Sequence, residues 1–122
     1  MSKEMVKKIV KALDDKKAIN PKIIDISKVS VVADYFLIAS GSNQNQVQAM
    51  ADNVCEEMEK AGFSCRQIEG YRSANWILLD FGDIIIHIFI YFLWCSYIKF
   101  NINIICIYFL CTWKILCVVL KF

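Results

Sequence analysis

Trp76-Ile77-Leu78-Leu79-Asp80-Phe81-Gly82-Asp83-Ile84-Ile85-Ile86-His87 sets two short apolar runs on either side of a glycine. Both runs are rich in aliphatic and β-branched side chains, the pattern of two strands joined by a tight turn at Phe81-Gly82. Placing Asp80 opposite Asp83 pairs Leu79 with Ile84, Leu78 with Ile85, Ile77 with Ile86 and Trp76 with His87. Side chains alternate along a strand, so this register sorts the hairpin into two faces. One face is wholly aliphatic: Ile77, Leu79, Ile84 and Ile86. The other carries Trp76, Leu78, Asp80, Asp83, Ile85 and His87, a mixture better suited to a protein contact than to a core. A second covering layer over Trp76 is the competing reading of that face.

Working back from the hairpin, Val47, Met50, Ala51, Val54, Cys55, Met58 and Ala61 recur at spacings of three and four, which predicts a one-faced helix. Asn43 and Gln46 stand as a capping-box pair before it, and Gly62 follows its end. Its other face, with Asp52, Glu56, Glu57 and Glu59, reads as solvated. Before the helix, Tyr35 to Ala39 is nearly continuous in apolar residues, as a buried central strand should be, and stops at Ser40-Gly41-Ser42. Lys22 to Ile26 predicts a further strand. Residues 3–17 predict a surface helix carrying Met5, Val6, Ile9, Val10 and Leu13, with Ser2 as cap, Glu4 in its first turn, Lys16 and Lys17 in its last, and Asn20-Pro21 as the break. The order helix, strand, strand, helix, strand, strand defines an α/β chain of the α+β kind, a small mixed sheet with helices packed on it.

Charge divides along the chain. Residues 1–28 hold eight lysines against Glu4, Asp14, Asp15 and Asp25, whereas residues 29–87 hold Lys60, Arg66 and Arg72 against eight acids. An acidic body suits a basic protein partner better than nucleic acid, because phosphate binding needs clustered Lys and Arg. The lysine-rich first helix could touch RNA, but it has no interleaved aromatics and two acids stand at its end.

Residues that could carry chemistry are few. Gly41-Ser42, between strand and helix, stands where a phosphate could be held, yet no Asp-x-Asp pair follows it to hold the metal ions of phosphoryl or nucleotidyl transfer. Asp80 and Asp83 straddle a turn without a third ligand. His87 is the single histidine, with no orienting partner at a recognisable spacing. Cys55 and Cys65 form neither a Cys-x-x-Cys motif nor a zinc pattern and read as reduced structural thiols. These patterns predict no catalytic residue, no metal and no cofactor. A charged amphipathic stretch directly after Met1, in place of an apolar leader, leads us to expect a cytoplasmic protein.

Several stretches together resemble the ribosomal silencing factor, or Iojap-like, family. They are Ala12-Leu13-Asp14-Asp15-Lys16-Lys17-Ala18, Ile24-Asp25-Ile26-Ser27, Ala33-Asp34-Tyr35-Phe36-Leu37-Ile38-Ala39-Ser40-Gly41, Gln46-Val47, Ala51-Asp52, Glu69-Gly70-Tyr71, and Trp76 through Phe89. They run in order over about three quarters of the chain, which is far more specific than a single motif. The resemblance implies a nucleotidyltransferase-like topology without catalysis. It also implies a bacterial factor that binds the large ribosomal subunit through ribosomal protein L fourteen, blocks subunit joining by steric occupancy and so represses translation. A homodimer is left open. The expected partner-binding face is Trp76, Leu78, Asp80 and Asp83, with Glu69 and Tyr71 at its edge.

The family-like domain spans residues 1–89, and residues 90–122 read as an aberrant hydrophobic tail. Of the 35 residues from 88 onward 28 are apolar, and every Asp, Glu, Gly, Pro, Ala, Arg and Gln lies before residue 88. The family's polar turn and closing helix are replaced, which points to a shifted reading frame or read-through. The rival reading is a membrane anchor over Ile102 to Leu120, interrupted by Asn103, Thr112 and Lys114. Cys95, Cys106, Cys111 and Cys117 have no ligand-like spacing. If loss of the closing helix is the defect, residues 1–89 joined to a family-like closing helix should give a larger soluble fraction than the native chain on expression and centrifugation. Equal solubility of the two proteins counts against it.

Overall fold

The computed structural model describes residues 2–28 and 33–91. The tail readings, including Cys95, Cys106, Cys111, Cys117 and the Ile102 to Leu120 span, lie outside the described residues. The elements are α1 (Ser2–Asp15), β1 (Ile19–Asp25), β2 (Tyr35–Gly41), α2 (Gln44–Lys60), β3 (Gln67–Glu69), β4 (Trp76–Asp80) and β5 (Ile84–Ile90). They form one sheet in the order β1-β2-β5-β4-β3. β2 and β5 run parallel, and the other neighbours are antiparallel. The mixed sheet with helices packed on it is the fold expected from the sequence.

α1 forms because Met5, Val6, Ile9, Ala12 and Leu13 fall on one buried stripe. Its ends differ from expectation. Ser2 lies inside the helix, and Lys16 and Lys17 lie beyond it. Lys17 adopts a left-handed φ of 59° and its N–H donates to the Asp14 carbonyl at 2.9 Å, while Ala18 N–H donates to the Leu13 carbonyl at 3.1 Å. This is a Schellman ending, which satisfies carbonyls that the helix leaves open. The chain therefore leaves the helix before Asn20-Pro21, which sits in β1 at a bulge where the register slips between Ile19 and Lys22. An edge strand tolerates that proline because no second neighbour needs its missing N–H.

α2 begins at Asn43, whose extended backbone lets its side chain accept from Gln46 N at 2.8 Å. The reciprocal arm of the capping box is not made. Gln46 Oε1 instead accepts from Ser42 N at 2.6 Å and Ser42 Oγ at 2.8 Å, and its Nε2 donates to the carbonyls of Lys16 and Lys17 at 3.1 and 3.0 Å. One carboxamide thus ties the end of α1 to the start of α2. Gly41 permits the close approach behind this knot, since a Cβ there would lie 2.9 Å from Val47 Cγ2.

The hairpin register corrects the sequence reading. Trp76 pairs with Phe89, Ile77 with Ile88, Leu78 with His87, Leu79 with Ile86 and Asp80 with Ile85. β5 is displaced by two residues from the expected alignment, with Gly82-Asp83 rather than Phe81-Gly82 at the centre of the turn. Phe81 N–H donates to the Ile84 carbonyl at 2.9 Å, Gly82 holds φ +89°, and Asp80 Oδ1 accepts from Gly82 N at 2.8 Å. A positive φ at the first central position favours glycine, and the shift keeps two carboxylates from facing each other. Because strand alternation has period two, a two-residue shift leaves the faces as expected.

Ile77, Leu79, Ile84, Ile86, Ile88 and Ile90 all join Leu37, Ala39 and the buried stripes of α1 and α2 in the main core. The short polar β3 is an element that alternation does not reveal. Replacing Gly41 with Ala should overpack the contact with Val47 and cost about 1–3 kcal/mol, read as a lower urea midpoint at unchanged slope.

Candidate functional site

The second face of the sheet is built from β1, β2, β4 and β5. Ile26, Ala33, Phe36, Leu78 and Ile85 form one buried cluster, and Ile38 and Phe89 form another with Ile24 and Trp76 against them. Neither cluster draws on α1 or α2. At its centre Trp76 stacks on Phe89 with centroids 5.3 Å apart and planes at 19°. Phe36 meets His87 edge-on at 5.6 Å. Trp76 Nε1 donates to His87 Nδ1 at 2.8 Å, so that nitrogen carries the lone pair and not the proton. His87 is fully buried. A ring enclosed in this way is a packing and hydrogen-bonding element, as expected for a strand histidine beside Trp76.

The expected partner-binding residues separate into four groups. Trp76, Asp80 and Glu69 are half-buried and share this face, since Gln67 pairs with Asp80 and Glu69 with Leu78 across β3 and β4. Leu78 lies in the same row but is 2% exposed, which makes it the floor of the face rather than a contact. Asp83 is exposed in the turn at one end. Tyr71 is exposed but leans the other way: its hydroxyl donates to Asp52 Oδ2 at 2.9 Å, and Gln48 Nε2 of α2 donates to its carbonyl at 2.9 Å. The acceptor bond from Asp52 raises the Tyr71 phenol above its ordinary pKa. Asp52, expected to be solvated, is therefore a docking point for the loop after β3.

The Gly41-Ser42 corner does not offer a phosphate cradle as it stands, because Ser42 N and Oγ are both spent on Gln46 Oε1. Two cavities lie elsewhere. One of about 290 Å³ is lined by Lys8, Lys11, Ala12, Asp15 and Glu57, and one of about 330 Å³ by Val6, Lys7, Val10, Lys11, Asp14 and Ile23. Among the described residues no three His, Cys, Asp or Glu side chains converge to hold a metal ion, and no helix is long and apolar enough to cross a membrane.

One grouping escaped the sequence reading. Cys55, on α2, and Cys65, ten residues on, both pack half-buried against the main core, and Cys65 Sγ donates to the Gln67 carbonyl at 3.2 Å. Spacing alone could not signal this, because the turn after α2 brings the chain back.

Comparison with known proteins places this geometry. The family model described as ribosomal silencing factor during starvation matches residues 1–90. Proteins named ribosomal silencing factor RsfS are similar in sequence. That of Halalkalibacterium halodurans is 36% identical over 88 residues, covering 72% of this chain and 75% of the relative. That of Bacillus subtilis is 38% identical over 87 residues, covering 71% and 74%. A Chromobacterium violaceum crystal structure superposes with a TM-score of 0.71 at 31% identity, covering 72% of this chain and 73% of that one. A Bacillus halodurans crystal structure gives 0.69 at 35%, covering 72% and 82%. With its two helices on a mixed five-stranded sheet, the chain belongs to the ribosomal silencing factor family.

The Trp76–His87 bond should be stabilising. Trp76→Phe keeps the stack on Phe89 but removes the donor, and should cost about 1–3 kcal/mol in a denaturation curve. An unchanged midpoint would show that the bond contributes nothing.

Proposed function

We propose that this chain represses translation by binding the large ribosomal subunit through ribosomal protein L fourteen and blocking its union with the small subunit. The action is occupancy of a surface, without turnover and without a cofactor, and it takes place in the cytoplasm where subunits join. Family membership carries the reading. The geometry of the second face supports it. Glu69, Asp80 and Asp83 set three carboxylates along β3, β4 and the turn after β4, and half-buried Trp76 lies on the same face at the opposite end of β4 from Asp80, with buried Leu78 between them. Carboxylates beside an aromatic anchor suit a basic protein, which can pair Lys or Arg with the former and cover the latter. Tyr71 marks the boundary of the surface, since its hydroxyl is already committed to Asp52.

Trp76→Ala should weaken binding to purified large subunits by about 2 kcal/mol, roughly thirtyfold, in a sedimentation assay. Asp80→Lys should weaken it further by setting like charges together, whereas Glu57→Lys on the helix layer should change it little. Folded Trp76 and Asp80 variants that bind and block subunit joining as the parent does would show that the contact lies elsewhere.

A further inference from the structure

The two charge halves of the sequence end at opposite sides of the sheet. Glu69, Asp80 and Asp83 belong to the β3–β4 side, whereas the lysine-rich residues 1–28 build α1 and β1, and β1 is the edge strand at the far side. Lys3, Lys7 and Lys11 recur every four residues along α1, so they stand in one exposed row. Among the described residues the ion pairs are those of Lys60 with Glu56 and Glu57, and Lys7 and Lys11 take part in none.

Beside this row lies the cavity of about 330 Å³, lined by apolar Val6, Val10 and Ile23 and by Lys7, Lys11 and Asp14. α1 and β1 thus form a groove with an apolar floor and a mostly basic border. Ile23 comes from β1 and is 51% exposed, the most exposed large hydrophobic side chain among the described residues. Asp25, two residues further on, is committed to Ser27, whose N and Oγ donate to Asp25 Oδ1 at 2.9 and 2.6 Å.

We propose that the α1–β1 groove docks an acidic amphipathic helix of a partner protein, with apolar side chains over Val10 and Ile23 and carboxylates along Lys3, Lys7 and Lys11. Charge complementarity selects an acidic partner, and the exposed isoleucine selects one with an apolar face. The four-residue spacing of the lysines recurs on a helix laid along α1, so carboxylates at that spacing meet each lysine in turn. A strand added to β1 fits less well, because Pro21 and the bulge between Ile19 and Lys22 interrupt that edge. RNA would gain from the lysines but not from Val10 and Ile23, and Asp14 would repel its phosphates. The chain's own tail does not supply the charge, since no Asp or Glu occurs after residue 87.

The test uses the full-length chain and two fluorescein-labelled synthetic helices of about four turns. Both carry one leucine stripe, flanked by glutamates in one helix and by lysines at the same positions in the other. In fluorescence anisotropy the parent should bind the glutamate helix and not the lysine helix. Lys7→Glu combined with Lys11→Glu should weaken the glutamate helix by about tenfold or more and let the lysine helix bind. Ile23→Thr should weaken both matched pairs. Trp76→Ala, on the opposite face of the sheet, should change neither, which separates this groove from the proposed ribosome contact. The proposal is overturned if the parent binds both helices alike or neither, or if the charge variant does not switch partners. It is also overturned if a duplex RNA displaces the glutamate helix and binds Ile23→Thr as tightly as the parent, which would assign the lysines to phosphate. Self-association of the parent in sedimentation, lost in the charge variant, would assign the groove to a second copy and overturn it too.

Discussion

β5 has no face to give to water. All seven residues from Ile84 to Ile90 are buried, His87 among them. A strand buried on both sides must take both its neighbours' hydrogen bonds and have side chains over each surface. β5 accordingly sits at the middle of the sheet, between β2 in parallel and β4 in antiparallel. The isoleucines of one side press against both helices, and Ile85, His87 and Phe89 press into the second face. Each fully buried isoleucine contributes about 1.5–3 kcal/mol, so the energetic centre of the domain lies along this strand. β2, β4 and α2 cover it directly, and the remaining elements extend those neighbours.

The helices are joined to each other by polar groups as well as by packing. Gln46 closes the turn ahead of α2 with its carbonyl oxygen and holds the Lys16 and Lys17 carbonyls just past α1 with its amide, and Asn53 Nδ2 donates to the Ala12 carbonyl at 2.8 Å. These bonds satisfy carbonyls at the end of α1, where the intrahelical ladder stops. The same Gln46 side chain occupies Ser42 N and Oγ at the Gly41-Ser42 corner.

On the second face a buried ladder carries a sparse charged fringe. The stack of Trp76 on Phe89 and the bond from Trp76 to His87 fix the indole in one orientation, so little freedom remains for a partner to quench. Glu69 and Asp80 share its face, with Asp80 at the other end of β4 and Asp83 in the turn beyond. A fixed aromatic with charge along the same face is the arrangement on which the proposed contact rests.

The sequence by itself determined the elements whose signals are local. The 3.6-residue period marks α2, the continuous apolar run marks β2, and alternation about Gly82 assigns Ile77, Leu79, Ile84 and Ile86 to one face and Trp76, Leu78, Asp80 and His87 to the other. Those assignments survived a wrong register because the error was two residues, an even number. Tertiary structure alone decided the rest. The parallel pairing of β2 with β5 joins segments nearly fifty residues apart, and no local pattern encodes such a partner. β3 is too short and polar to announce itself. Leu78 and Tyr71 share a stretch of sequence with Trp76 but not its exposure or direction, because burial and the pull of Asp52 depend on what folds against them. Cys55 and Cys65 line the same core only because the turn after α2 reverses the chain, a consequence of where the helix must pack and not of either cysteine's neighbours.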